Sequence, residues 1–246
     1  MECPKCQAPQ RAVDEICTEC GLVFAKYEQY LEAREALDRE HAERAAQPGL
    51  LAQLGHKALS PPRYMKELWT PCLVLWGLFL LWGWSYMSQD IASLGRNPGF
   101  LHNINLPFHE AGHVIFGIFG QFIGSLGGTL GQLLIPVICG VALLMRSDTF
   151  GASICLWWFG QNFLDIAPYM ADARAGQLPL LGGNFGHSSP YGFHDWEYLL
   201  NETGLLHLDE TLAALTLNIG RLIMLAAMAW GAWLLWRHKQ TGGATR

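Results

Sequence analysis

The sequence predicts an all-α polytopic membrane protein of about five apolar spans, preceded by a small zinc ribbon and a soluble helix. Three observations lead there. Hydrophobic residues make up 51% of the chain and charged ones 15%, more apolar than an ordinary soluble domain. Several runs approach the roughly 20 apolar residues that a bilayer requires. Two Cys-x-x-Cys pairs precede them. The net charge of −5 and the scattered Lys and Arg give no basic field, so nucleic acid is not expected as a partner.

Residues 1–22 open with "CPKC" and close with "CTECG". Cys3, Cys6, Cys17 and Cys20 can surround one tetrahedral Zn²⁺, and in so short a segment the metal replaces a missing hydrophobic core. Two disulfides are the alternative, which a reducing cytosol disfavours. The stretch resembles a zinc ribbon, and such modules hold a partner or stabilise a terminus; a cytoplasmic protein partner is one expectation. Cys72, Cys139 and Cys155 lie in apolar runs and read as small hydrophobes. No cleavable leader pattern is present, so the N-terminus is expected to stay in the cytoplasm.

Residues 23–47 are rich in Ala, Glu, Leu and Arg, with Glu35/Arg39 and Glu40/Arg44 at i,i+4 spacing, and predict a solvated helix. Pro48 and Gly49 end it, and residues 48–67, with Pro61-Pro62, read as a linker. The membrane core is expected over 68–175, an interfacial loop over 176–210 and a last span with its tail over 211–246. The runs are Leu68–Met87, Leu106 to about Gly124, Leu126 to about Met145, Phe150 to about Ala171, and Leu212–Trp236. Arg63 and Lys66 ahead of the first favour a cytoplasmic N-terminus. Five spans would leave Arg237, Lys239 and Arg246 outside, so either one run is re-entrant or the charge rule fails at the last span. The Gly-rich link at 120–136 is the candidate for the irregular piece; its other reading is close helix packing through Gly120/Gly124 and Gly124/Gly128.

Within "NLPFHEAGHVIFGIFG", residues 105–120, His109 and His113 lie four apart and share a helical face, so both imidazoles can reach one metal ion. Glu110 is turned away. In zinc hydrolases with His-Glu-x-x-His the glutamate does not ligate; it moves a proton from water to the leaving amine. Ionisable groups in an apolar run need partners or a wet cavity, and histidines hydrogen-bonded between helices are the plainer alternative. A catalytic zinc needs a third protein ligand. Asp165 and Asp172, in "WFGQNFLDIAPYMADARAG", are candidates on roughly one face, with Asn162 nearby and Pro168 between them. Arg221 is either a counter-charge to one of them or a sign that the last span begins at Leu222.

These motifs resemble the site-2 proteases, intramembrane zinc metalloproteases with His-Glu-x-x-His on one span and an Asn-…-Pro-…-Asp-Gly motif on a later one. The resemblance covers about residues 70–175. It implies His109 and His113 as zinc ligands and Glu110 as base. Aligning Asn162 with the family's asparagine places Met170 where the aspartate belongs, and Ala173 follows Asp172 where a glycine is expected. Asp172 is therefore the first choice for third ligand and Asp165 the second, while His194 or Asp195 can fold back from the loop if neither serves. Asn162 can bind the substrate backbone or the developing oxyanion.

Residues 178–206 are punctuated by Gly, Ser and Pro and carry His187, His194 and Asp195; a lid would look so, as would an interfacial loop anchored by Trp196 and Tyr198. The expected function is zinc-dependent hydrolysis of a peptide bond in a membrane-embedded or membrane-proximal protein, in a bacterial inner membrane. It needs one structural zinc in the ribbon and one catalytic zinc in the core. The alternatives are a metal transporter or carrier, and a non-catalytic adaptor whose ribbon docks a partner.

Overall fold

The computed structural model describes residues 2–9, 11, 15–46, 55, 57–181 and 183–242; Pro48, Gly49 and much of the expected linker lie outside them. The chain divides into two compact units, Met1–Gly55 and His56–Arg246.

In the first unit, the two cysteine knuckles are tight turns, each flanked by an isolated antiparallel bridge, Glu2 with Pro9 and Ile16 with Val23. Helix α1 (Phe24–Ala46) follows directly. Its described side chains are mostly exposed, as its charged composition predicts.

In the second unit the helices are α2 (Met65–Met87), α3 (Ile91–Arg96), α4 (Phe100–Phe116), α5 (Gln121–Met145), α6 (Thr149–Ala171), α7 (Asp195–Glu202) and α8 (Asp209–Gly242). The eight helices are accompanied, among the described residues, by no named strand. Carboxylates cap two starts: Asp90 accepts from the Ser93 N–H ahead of α3, and Asp148 from the Gly151 N–H ahead of α6. The α4–α5 link ends at Gly120, whose φ of +99° suits glycine.

Three helical segments among the described residues are long and apolar enough to cross a bilayer: Met65–Met87, Gln121–Met145 and Leu206–Gln240. They mark the chain as a membrane protein; the expected five spans are not supported. Helix α4 has 17 residues and carries His102, Asn105, His109, Glu110 and His113. Helix α6 has 23 residues but includes Gln161, Asn162 and Asp165, and buries Trp157, Leu164, Ala167 and Met170 among them. It is a core helix rather than a lipid-facing one. The Gly-rich link is not irregular either: it forms the first turns of α5, a continuous helix.

Close backbone approach holds the core. A Cβ on Gly112 would collide with the Gly127 carbonyl, and one on Gly131 with the Phe108 carbonyl. At the α6–α8 contact, a Cβ on Gly160 would lie 2.9 Å from the Gly220 carbonyl oxygen. Small-residue packing of this kind replaces the hydrophobic drive that lipid removes. Helix α2 is tied to α8 by indole N–H groups: Trp69 donates to the Leu235 carbonyl at 3.2 Å and Trp76 to the Met228 carbonyl at 3.0 Å. Gly112→Ala should destabilise the fold by about 1–3 kcal/mol through overpacking. Gly77→Ala, where nothing lies within 4 Å, should not. Thermal midpoints of the two variants in detergent check this.

Candidate metal centres

Cys3, Cys6, Cys17 and Cys20 bring their sulfurs within 4.8 Å of one another. The pairs Cys3–Cys20 and Cys6–Cys17 are 3.7 and 3.6 Å apart, and all four are free thiols rather than disulfides. Sulfurs about 2.3 Å from a tetrahedral ion lie about 3.8 Å from each other, so the cluster fits one metal and is consistent with a zinc ribbon.

The second centre is built on α4. His109 and His113 share a face, with ring centroids 4.8 Å apart. His109 Nδ1 meets Gln132 Oε1 at 2.8 Å, and His113 Nδ1 meets the Gly124 carbonyl at 2.8 Å. Both acceptors are on α5. Since each acceptor is an oxygen, Nδ1 carries the proton in both rings, and each Nε2 presents its lone pair. The two Nε2 atoms converge on one carboxylate oxygen, Asp195 Oδ2, 3.3 Å from each. Nitrogen and oxygen donors about 2.0–2.1 Å from a tetrahedral ion are about 3.3–3.4 Å apart. The trio therefore can hold a metal ion. Gly128 makes the space: a Cβ there would lie 2.5 Å from both Nε2 atoms.

Asp195 is held in place by Tyr169. Its backbone N–H donates to the Tyr169 hydroxyl at 3.1 Å, and that hydroxyl is 3.4 Å from Asp195 Oδ2. Buried His194 caps α7: its Nδ1 accepts from the Glu197 N–H, so Nε2 bears the proton and lies 3.5 Å from Asp172 Oδ2.

The two aspartates proposed from sequence are engaged elsewhere. Asp172 accepts from the Gln177 and Leu178 N–H groups, both at 2.8 Å, and so anchors the loop that leaves α6. Burial raises its carboxyl, and His194 with those two N–H groups lowers it below the usual range. Asp165 meets His102 Nδ1 at 2.9 Å and accepts from Asn105 at 3.1 Å. Neither belongs to the His109–His113 cluster, which takes Asp195 instead. Asn162 is fully buried and donates to the Trp158 carbonyl. Arg221 donates to the Gln89 carbonyl and Asn218, with no bond to Asp165 or Asp172. His187 bonds the Gly176 carbonyl.

A cavity of about 800 Å³ opens beside the centre, lined by His109, Glu110, His113, Tyr169 and Asp195 at one part and by His102, Gln161 and Asp165 at another. Leu178, Leu180 and Phe193 of the following segment also line it. Glu110 forms no hydrogen bond among the described residues and faces this space. Sequence reasoning missed Gln132 and Tyr169; a glutamine inside a long apolar helix was the available signal for the first. Compared with protein-family models, curated proteins and solved structures, the chain matches none.

Elemental analysis of detergent-purified protein should find two metals per chain. His113→Ala or Asp195→Ala should each remove one, Cys3→Ser/Cys6→Ser the other, and Asp165→Asn neither.

Proposed function

We propose that the chain is an intramembrane zinc metalloprotease whose N-terminal ribbon lies in the cytoplasm. The observation that carries the reading is the convergence of His109 Nε2, His113 Nε2 and Asp195 Oδ2 beside a cavity that Glu110 also lines. Two neutral imidazoles and one carboxylate, with space for substrate, are the ligand set of open hydrolytic zinc sites. The zinc-ribbon reading of the four cysteines and the flanking Arg63 and Lys66 support the orientation.

Zinc bound at this trio would act as a Lewis acid toward a scissile carbonyl and toward water. The chain's own groups do the rest. Gln132 and the Gly124 carbonyl hold the two Nδ1 protons, so both rings stay in the tautomer that ligates through Nε2. Tyr169 keeps Asp195 turned toward them. Glu110, one residue from His109 yet outside the trio, accepts the proton of the attacking water on its carboxylate. It then delivers that proton to the amide nitrogen as the C–N bond breaks, which regenerates the carboxylate.

Purified protein in detergent, incubated with a panel of single-span membrane peptides and read by mass spectrometry, tests the reading. Zinc-dependent cleavage is expected from wild type. Glu110→Gln should lose at least about a hundredfold in rate while keeping both metals. Normal cleavage by that variant, or a wild-type chain holding only the cysteine-bound metal, would overturn it.

A further inference from the structure

One face of α5 beside the metal centre carries hydrogen-bonding side chains that the proposed chemistry does not use. Gln121, Ser125, Thr129 and Gln132 recur at intervals of four, four and three residues in a helix that is otherwise apolar. At about 100° per residue they fall within about 80° of arc. All four line the cavity. Beside them runs the glycine face, Gly127, Gly128 and Gly131, that packs on α4. His109 and His113 lie over Gly128, so the stripe passes the metal centre: Thr129 stands level with it, Gln121 and Ser125 to one side and Gln132 to the other.

These side chains are short of partners. Ser and Thr in a helix commonly bond back to the carbonyl three or four residues earlier, as Ser85, Ser153 and Thr203 do. Among the described residues, Ser125 and Thr129 make no such bond, and the Gln121 amide makes none either. Gln132 uses Oε1 to accept from His109 Nδ1, which fixes the amide and leaves Nε2 unpartnered. Thr129 is 6% exposed and Gln132 5%, so bulk water does not serve them. A buried polar group without a partner is costly, and this wall holds two. Polar side chains in a membrane helix commonly join it to its neighbours, which these do not.

Spacing identifies the ligand. Four residues of helix rise about 6 Å, and two residues of extended chain about 6.6 Å. Alternate residues of an extended chain turn their N–H and C=O groups to the same edge, so successive side chains of the stripe meet successive backbone groups. Hydroxyls and carboxamides donate and accept, and so pair with either group. A membrane helix that opens around the bond to be cut loses backbone hydrogen bonds that lipid cannot replace.

We propose that Gln121, Ser125, Thr129 and Gln132 form a rail that binds the backbone of an unwound, extended segment of the substrate polypeptide across the metal centre. The inference rests on the protease reading and deepens it: the main chain is recognised, so the substrate is an apolar segment able to leave its helix. Asn162, expected from sequence to take the substrate backbone, is fully buried in α6 and donates to the Trp158 carbonyl; α5 supplies the groups instead.

Trileucine hydroxamates, with the hydroxamate at either end, are the probes, each compared with analogues in which an ester replaces one backbone amide. An ester lacks the N–H. Calorimetry on the zinc-loaded, detergent-purified chain reads the affinities. At one position at least, the ester should bind wild type about fivefold or more weakly than the amide. Thr129→Val exchanges an unpartnered hydroxyl for a methyl group, so it should keep the wild-type thermal midpoint and zinc content while the amide probe's affinity drops to that of its ester. Ser125→Ala is the second variant. Equal affinity of amide and ester probes for wild type, or an amide preference undiminished in both variants, overturns the rail while zinc-dependent binding leaves the protease reading standing. Failure of every probe to bind the zinc-loaded chain overturns both.

Discussion

The close approach of α4 to α5 is the constraint on which the rest of the membrane unit depends. Gly112, Gly127 and Gly131 remove the side chains that would hold the two backbones apart. Once they meet, His109 and His113 lie over Gly128, and the Gln132 side chain and Gly124 carbonyl fall within reach of the two Nδ1 atoms. The same contact sets the rings' spacing, their tautomers and the direction of both free nitrogens. A helix pair separated by one methyl group would keep the histidines and lose the geometry.

Partner assignment then sorts three similar carboxylates into three roles. Asp165 is fixed by His102 and Asn105, Asp172 by two backbone N–H groups and His194, and Asp195 by two imidazoles and Tyr169. Each is largely buried, so each must be satisfied locally. Asp172 has its oxygens committed to the loop it anchors. Asp195 instead faces two lone-pair nitrogens, an arrangement that calls for a proton or a metal between them.

Local pattern made part of this legible. Cysteine spacing alone places four thiols around one point, and the four-residue offset of His109 and His113 places both on one face. The charged helix after the ribbon follows from composition, and α1 (Phe24–Ala46) lies within a residue of the expected bounds. The third member of the candidate site was not fixed by such rules. Asp195 is 86 residues from His109, and its position depends on how Asp172 and His194 fold the intervening segment. Periodicity carries no information about that path, so Asp172, closer in register to a helix-borne motif, competed with it. Span counting failed for a related reason. The run from Phe150 has the length of a span, but α6 carries Gln161, Asn162 and Asp165, is less apolar than α5, and spends its apolar side on protein neighbours.

The placement of Asp195 has a mechanical consequence. Two of the candidate ligands belong to one helix, packed closely on α5, while the third candidate sits at the start of α7, beyond the segment whose Leu178, Leu180 and Phe193 line the cavity. Asp172 grips both roots of that segment: the Gln177 and Leu178 N–H groups where it begins and His194 where it ends. The conformational freedom to be lost on closing a loop grows only slowly with its length, so a clamp at the two roots removes most of what ordering Asp195 requires. The carboxylate first expected to hold the metal thus serves the candidate site indirectly, by holding in place the chain that brings Asp195 to the two histidines.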